Sequence, residues 1–297
     1  MDETKTVRPF VKWAGGKGQL LSEIRKYYPF DSSVRKYVEP FVGGGAVFFD
    51  IVTKYDLEEI CIADINRDLI NAYIVVRDYP ERLVSMLRKM HSDFISCDEL
   101  GRKRYYNDVR MRYNSREFYY GDGKAECAAM FIFLNRTCFN GLYRINKSGK
   151  FNVPIGRYKN PLICDADNIM LISEKLKNVK IECGDYRRVA NSIDKSTFVY
   201  LDPPYRPISK TSNFTAYTSD AFNDEEQIKL AEFAGIISDK GGKFLLSNSD
   251  PKNEDPSDDF FEKLYRDYKI QKVDAVRIIN CNGDKRGKIK ELFISNF

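Results

Sequence analysis

An apolar run, Phe198-Val199-Tyr200-Leu201, ends in Asp202-Pro203-Pro204-Tyr205. A carboxylate at the carboxyl end of a buried strand faces the crevice where open α/β sheets hold their ligands. Proline has no amide hydrogen, so the carbonyls that follow Asp202 can be aimed at a ligand without entering a ladder. One carboxylate oxygen and one backbone carbonyl form an acceptor pair that suits an NH2 group with two donors, such as the exocyclic amine of adenine. Tyr205 offers a flat face for a base, and stacking of that kind is worth about 1–3 kcal/mol. A tight turn after a strand explains the prolines. It does not explain an acid before them and an aromatic after them.

Two glycine turns precede this site. In EPFVGGGAVFFD, Gly43 and Gly45 flank Gly44 and let the backbone bend sharply from strand to helix, with room for close approach of a ligand. The helix N-terminus beyond them favours negative charge. About 20 residues on, the segment EEICIADIN ends in Asp64, where a carboxylate can accept from a ribose diol. The order G-x-G-x-x-G is missing, because Ala46, Val47 and Phe48 follow Gly45, and this argues against a pyrophosphate ligand. NAD, FAD and S-adenosylmethionine (SAM) all stay open on these residues. The other turn, KWAGGKGQ, carries Trp13 and Lys17. Lys17 could meet a carboxylate such as the amino-acid end of SAM, or it is a surface lysine beside a core tryptophan.

Composition narrows the chemistry. The chain has 297 residues, seven scattered cysteines without a C-x-x-C pair, and a single histidine, His91, on an expected helix. Neither a disulfide framework nor a metal site is indicated. A Ser-His triad would have to be built on His91. No segment approaches the roughly 20 apolar residues that cross a bilayer, and MDETKTVRPF lacks a signal-peptide core, so a cytoplasmic protein is expected. The net charge is +5, yet Arg67–Cys164 holds 18 Lys and Arg against 10 Asp and Glu, a local +8. Within Leu134–Asn160 lie Arg136, Arg144, Lys147, Lys150, Arg157 and Lys159, with no acid. A one-sign stretch of that length favours a polyanionic partner.

The elements needed to position these groups alternate. RPFVKW reads as extended or a short strand, AGGKGQLLSEIRKYYP as a turn and a helix that stops at Pro29, and RKYVEPF as a strand. Residues 67–130 are mostly helical by period, with LINAYIVVRDYPERLVSMLRKM the clearest stretch, and 135–160 read as loop. Strands and helices then resume in NVKIECGDY, STFVYLDPPY, EEQIKLAEFAGIISDKGG and KFLLSNSD. YKIQKVDAVRII and KELFISNF read as an antiparallel hairpin, and DPKNEDPSDDF as a polar, mobile loop. An α/β sheet starts, pauses for about 100 residues and resumes.

The ordered set KWAGGK, EPFVGGGAVFF, ADIN, FNGLYRIN, FNVPIGRYKNP, DPPY, TSNFTAYT and LLSNSD resembles the Dam/Dpn-type (α-group) DNA adenine-N6 methyltransferases, enzymes that read GATC. The likeness runs from about Pro9 to Phe293. It implies a Rossmann-like, SAM-dependent methyltransferase sheet built from 1–66 and 165–297, with a mainly α-helical target-recognition domain inserted at 67–164. It implies SAM contacts from Trp13, Lys17, Gly43, Gly45, Asp64, Asp185, Tyr186 and Asp202, and a catalytic motif of Asp202, Pro203, Pro204 and Tyr205. DNA contacts would come from Lys12, Arg136, Phe139, Asn140, Leu142, Arg144 and Arg157. Phe139 departs from the tyrosine frequent there and keeps its stacking face.

The implied reaction is methylation of N6 of a flipped-out adenine in double-stranded DNA, without metal or covalent intermediate. The implied partners are duplex DNA and a candidate cognate restriction endonuclease. A monomer is expected, with a dimer on DNA as the alternative. Three rivals stand beside this reading: a methyltransferase acting on RNA or protein glutamine, a non-catalytic DNA-bound regulator, and an NAD-dependent oxidoreductase. A further expectation is that the basic loop CNGDKRGKIKE (281–291), with Lys285 and Arg286, closes on DNA.

Overall fold

The computed structural model describes residues 7–115, 123–206, 222–276 and 288–297. TSNFTAYT and the loop residues Lys285 and Arg286 lie outside the described residues. The elements are α1 (Leu21–Ile24), β1 (Lys36–Glu39), α2 (Ala46–Lys54), β2 (Glu59–Asp64), α3 (Arg67–Asp78), α4 (Pro80–Ile95), α5 (Glu99–Ser115), α6 (Gly123–Thr137), α7 (Ala166–Leu176), β3 (Val179–Cys183), β4 (Thr197–Leu201), α8 (Asp224–Asp239), β5 (Lys243–Ser249), α9 (Phe260–Leu264), β6 (Lys269–Val276) and β7 (Lys288–Ser295).

One seven-stranded sheet runs β3-β2-β1-β4-β5-β7-β6. Strand β1 pairs parallel with β2 and β4, and β4 with β5; β7 lies antiparallel to β5 and to β6. This is an open, Rossmann-like sheet whose order reverses between β1 and β4. Strand β4 is buried at every position, as its unbroken apolar run requires of a strand covered on both faces. The expected closing hairpin is β6 paired with β7.

The chain divides into two compact units. The first comprises Met1–Gly16, Gly43–Lys54 and Asp64–Gly184; the second comprises Lys17–Val42, Tyr55–Ala63 and Asp185–Phe297. In the first, α6 is buried from Cys127 to Asn135 and packs against α3, α4 and α5. A helix that is apolar all round belongs at the centre of such a cluster. In the second, Val199, Leu201, Phe233, Phe244, Leu246 and Ile294 form the core with their neighbours.

Several local expectations are corrected. The stretch from Leu69 to Met90 is helical as expected, in two helices, because Pro80 opens α4 at a position where no preceding helix can continue through it. The segment after Trp13 is a 3-10 turn at Lys17–Gln19, the four-residue α1 and another 3-10 turn, not one helix. Glycines at 15, 16 and 18 weaken helix there, and Lys17 is drawn into a buried ion pair. Asn135–Thr137 close α6 instead of opening a loop. Asp250, expected in a polar loop, is buried, caps Lys252 N at 3.0 Å and pairs with Lys272 at 2.8 Å.

Candidate active site

In the second unit, β1 and β4 end side by side at the point where the strand order reverses. Asp202 follows β4, and its Oδ1 takes Lys17 Nζ at 2.7 Å and the Ser247 hydroxyl at 3.1 Å. Ser247 in turn shares a 3.0 Å hydrogen bond with Tyr200. Burial pushes the Asp202 carboxyl above the ordinary carboxylate range, against the pull of Lys17 and Ser247. Tyr205 places its ring 4.7 Å from Lys17 Nζ and donates its hydroxyl to Glu291 Oε2 at 2.7 Å. Burial is also the main cause of the raised Glu291 carboxyl, and the Tyr205 phenol is held far above its usual value. Pro203 is buried, while the Pro204 carbonyl accepts from Gln227 Nε2 at 3.3 Å.

Asp185 and Tyr186 follow β3. The Asp185 carboxylate is taken by Arg187 through Nε at 2.7 Å and a second nitrogen at 2.8 Å, which holds it below the usual range. Tyr186 is buried against Phe41 and Phe233, and its hydroxyl has no hydrogen-bond partner among the described residues.

In the first unit, the glycine turn is fitted closely. Gly43 has φ +48°, and a Cβ there would come within 2.8 Å of Trp13 Cδ1; Gly45 has φ +76°, and a Cβ would meet the Tyr73 hydroxyl at 2.5 Å. Asp64 holds the turn from below. Its Oδ2 accepts from Gly43 N at 3.0 Å and its Oδ1 from Asn66 N at 2.8 Å. Burial raises the Asp64 carboxyl to about 6, against the lowering by those amides.

The basic stretch forms a short hairpin, bridged at Cys138–Ile155 and Ile145–Phe151. Asn140 adopts φ +54°, exposed beside Phe139, which is 51% exposed. Leu142 is half-buried, and the exposed Arg144 guanidinium meets Asn152 Oδ1 at 2.7 Å. Lys147, Lys150, Arg157 and Lys159 are exposed, and none of these five cations has an acidic partner among the described residues. Arg136 departs from the expectation of a DNA contact. Its guanidinium is largely engaged inside the unit, with two bonds to the Phe10 carbonyl at 2.9 and 3.1 Å and one to Pro9. Burial lowers its pKa accordingly. Lys12 lays its stem over Gly141 and its ammonium 3.9 Å from the Tyr158 ring centre.

Residues 13–279 match the D12 class N6 adenine-specific DNA methyltransferases. The chain belongs to this family. It is 49% identical over 295 residues to the type II methyltransferase M.MjaIII of Methanocaldococcus jannaschii, covering 98% of this chain and 99% of that protein. It is 38% identical over 299 residues to the type II methyltransferase M1.LlaDCHI of Lactococcus lactis subsp. cremoris, covering 98% and 96%. The DNA adenine methylase of Escherichia coli strain K12 is 35% identical over 288 residues, covering 97% and 95%. The protein is a site-specific DNA adenine-N6 methyltransferase.

For this methyltransferase, the residues that sequence reasoning missed are those supporting Asp202 and Tyr205. Ser247 and Asn248 sit in LLSNSD, a string whose resemblance was legible but whose individual roles were not. Asn248 donates to Gln227 Oε1 at 3.3 Å, and Gln227 holds Pro204. Glu291 gave no signal at all, since an isolated glutamate in a strand is ordinarily solvated; here it is 7% exposed.

Proposed function

We propose that the methyl donor is SAM, that the substrate is an adenine rotated out of duplex DNA within GATC, and that Asp202 with the Pro203 carbonyl grips its amino group. The observation that carries this reading is the half-buried Asp202 carboxylate at the end of β4, flanked by Lys17 and Tyr205. The residues fit the donor. The Asp64 carboxylate accepts the Gly43 and Asn66 amides and keeps capacity for a further donor such as a ribose hydroxyl. Gly43 and Gly45 have no space for a side chain. Trp13, Lys17, Asp185 and Tyr186 complete the proposed set of contacts. Bound SAM supplies an electrophilic methyl group.

An adenine in a duplex cannot present N6, so rotation out of the stack costs a few kcal/mol. Stacking on Tyr205 and the two acceptors recover much of that. They hold the amine so that its lone pair leaves the ring plane. As N6 gains positive charge the Asp202 carboxylate stabilises it, and Asp202 or water then takes the proton. The proposed DNA contacts are Lys12, Phe139, Asn140, Leu142, Arg144 and Arg157, within an inserted recognition domain at 67–164. Arg136 serves instead to position the chain around Phe10. Arg144 and Arg157 are candidates for bidentate contacts to guanine, each worth about 1–3 kcal/mol of discrimination. We propose a monomer.

The test is labelled SAM incubated with duplexes that carry or lack GATC. Label on adenine N6 of the GATC duplex alone is expected, and equal label on both contradicts the site. In the same assay Arg157→Ala is expected to relax discrimination at one base pair by about 5- to 150-fold, with cofactor affinity unchanged. A uniform loss on all duplexes would make it a phosphate contact.

Asp64 sets a pH dependence. Its folded pKa lies above the usual carboxylate value, so the ionised group costs stability above about pH 4, and acidification from neutrality relieves that cost. Cofactor binding runs the other way, because a neutral Asp64 is the poorer acceptor. The Kd for a SAM analogue is expected to rise below pH about 6, by up to about tenfold per unit. Calorimetric titration between pH 5 and 8 checks this, and a flat Kd removes Asp64 from the contact set.

A further inference from the structure

Tyr143 lies between Leu142 and Arg144 but points away from the exposed face: it is 9% exposed, and its hydroxyl donates to Asp68 Oδ2 at 2.6 Å. Asp68 stands in the first turn of α3, buried, and also takes the Tyr113 hydroxyl from α5 on the same oxygen. The Tyr143 ring stacks on Trp13, with centroids 5.8 Å apart and planes at 23°. Trp13 in turn lies against the glycine turn, where Cβ atoms on Gly43 and Gly44 would come within 2.8 and 3.1 Å of it. Phe131 of α6 packs on both rings.

These contacts close a circuit. From Gly43 it runs through Trp13 and Tyr143 to Asp68, and back through Asn66, which caps α3, to Asp64, whose carboxylate holds Gly43 N. The hairpin has its own closure in the Cys138–Ile155 and Ile145–Phe151 bridges, so the Tyr143 hydroxyl is not needed to form it. A close-packed stack shifts between discrete arrangements and does not deform smoothly. Movement of Trp13 must therefore displace either Tyr143 or the glycine turn.

We infer that Tyr143, anchored on Asp68, is a positioning residue that couples the glycine turn to the recognition hairpin, so that cofactor and target DNA strengthen each other's binding. The inference rests on the reading that this turn serves the cofactor and that Leu142 and Arg144 serve DNA. Coupling of this kind typically spans about 5- to 150-fold in affinity and is reciprocal.

The experiment measures GATC-duplex affinity with and without saturating S-adenosylhomocysteine, and the affinity for S-adenosylhomocysteine alone, in the full chain. The wild type is expected to bind the duplex at least about fivefold more tightly with the cofactor product present. In Tyr143→Leu that ratio is expected to fall to about one, and Tyr143→Phe, which keeps the buried ring, to fall between. Both variants are expected to keep each separate affinity within about threefold. A merely structural role would lower both separate affinities and leave their ratio intact, which overturns the proposal. So does a ratio unchanged in Tyr143→Phe where Tyr143→Leu does not fold. A wild type that binds both ligands without linkage overturns the coupling alone. One that binds no S-adenosylhomocysteine overturns the cofactor reading and the coupling with it.

Discussion

Raising salt from about 50 to 200 mM is expected to weaken duplex binding about 40-fold, on a slope near −2.7. The figure follows from Lys147, Lys150 and Lys159, each exposed and without an acidic partner among the described residues; Arg144 and Arg157 are assigned to guanine and not counted. Each phosphate contact on duplex DNA contributes about −0.9 to the slope. Arg136 is not counted, because its guanidinium is engaged with carbonyls of Pro9 and Phe10. Anisotropy titrations at several salt concentrations read the slope directly. Lys147→Gln with Lys150→Gln is expected to make it shallower by about 2, equally on all sequences. A slope shallower than about −1 in the wild type would mean that this hairpin does not meet phosphates.

Asp202→Ala is expected to lower the turnover number about 10³-fold, the usual loss when a group aimed at developing charge is removed. The substitution also dissolves an ion pair whose lysine is only 4% exposed. Breaking such a buried pair costs roughly 3–5 kcal/mol of stability, so a lowered melting temperature is part of the expected result. Turnover must accordingly be compared at a temperature where the variant is folded, with cofactor and duplex both saturating. The expectation is that the loss persists there. A variant that regains full turnover once folded would assign Asp202 to stability alone.

The proposed catalytic motif stands out in the sequence because its chemistry is concentrated in four consecutive residues. A buried strand that ends in an acid has few structural explanations, and β4 is that strand. The sheet was legible for a similar reason: each strand from β1 to β5 ends at or beside a glycine or an acid. What escaped the sequence depends on contacts between distant segments. Glu291 reaches Tyr205 across 86 positions, and Ser247 reaches Asp202 across 45. Neither has a local pattern to betray it. Arg136 shows the converse: it stands in an acid-free stretch with five exposed cations, and helix α6 carries its guanidinium to the backbone at Phe10. The role of Lys17 was half visible. Its place beside a glycine turn hinted at an anionic partner, and the carboxylate it meets in this structure belongs to Asp202.

Single-turnover transfer from labelled SAM to a GATC duplex, followed by digestion to nucleosides, addresses the grip on the amino group most directly. With the enzyme in excess and both ligands bound, Asp202→Ala should form N6-methyladenine at least about 10²-fold more slowly than wild type. Equal rates of label appearing at N6 in the two proteins would contradict the account.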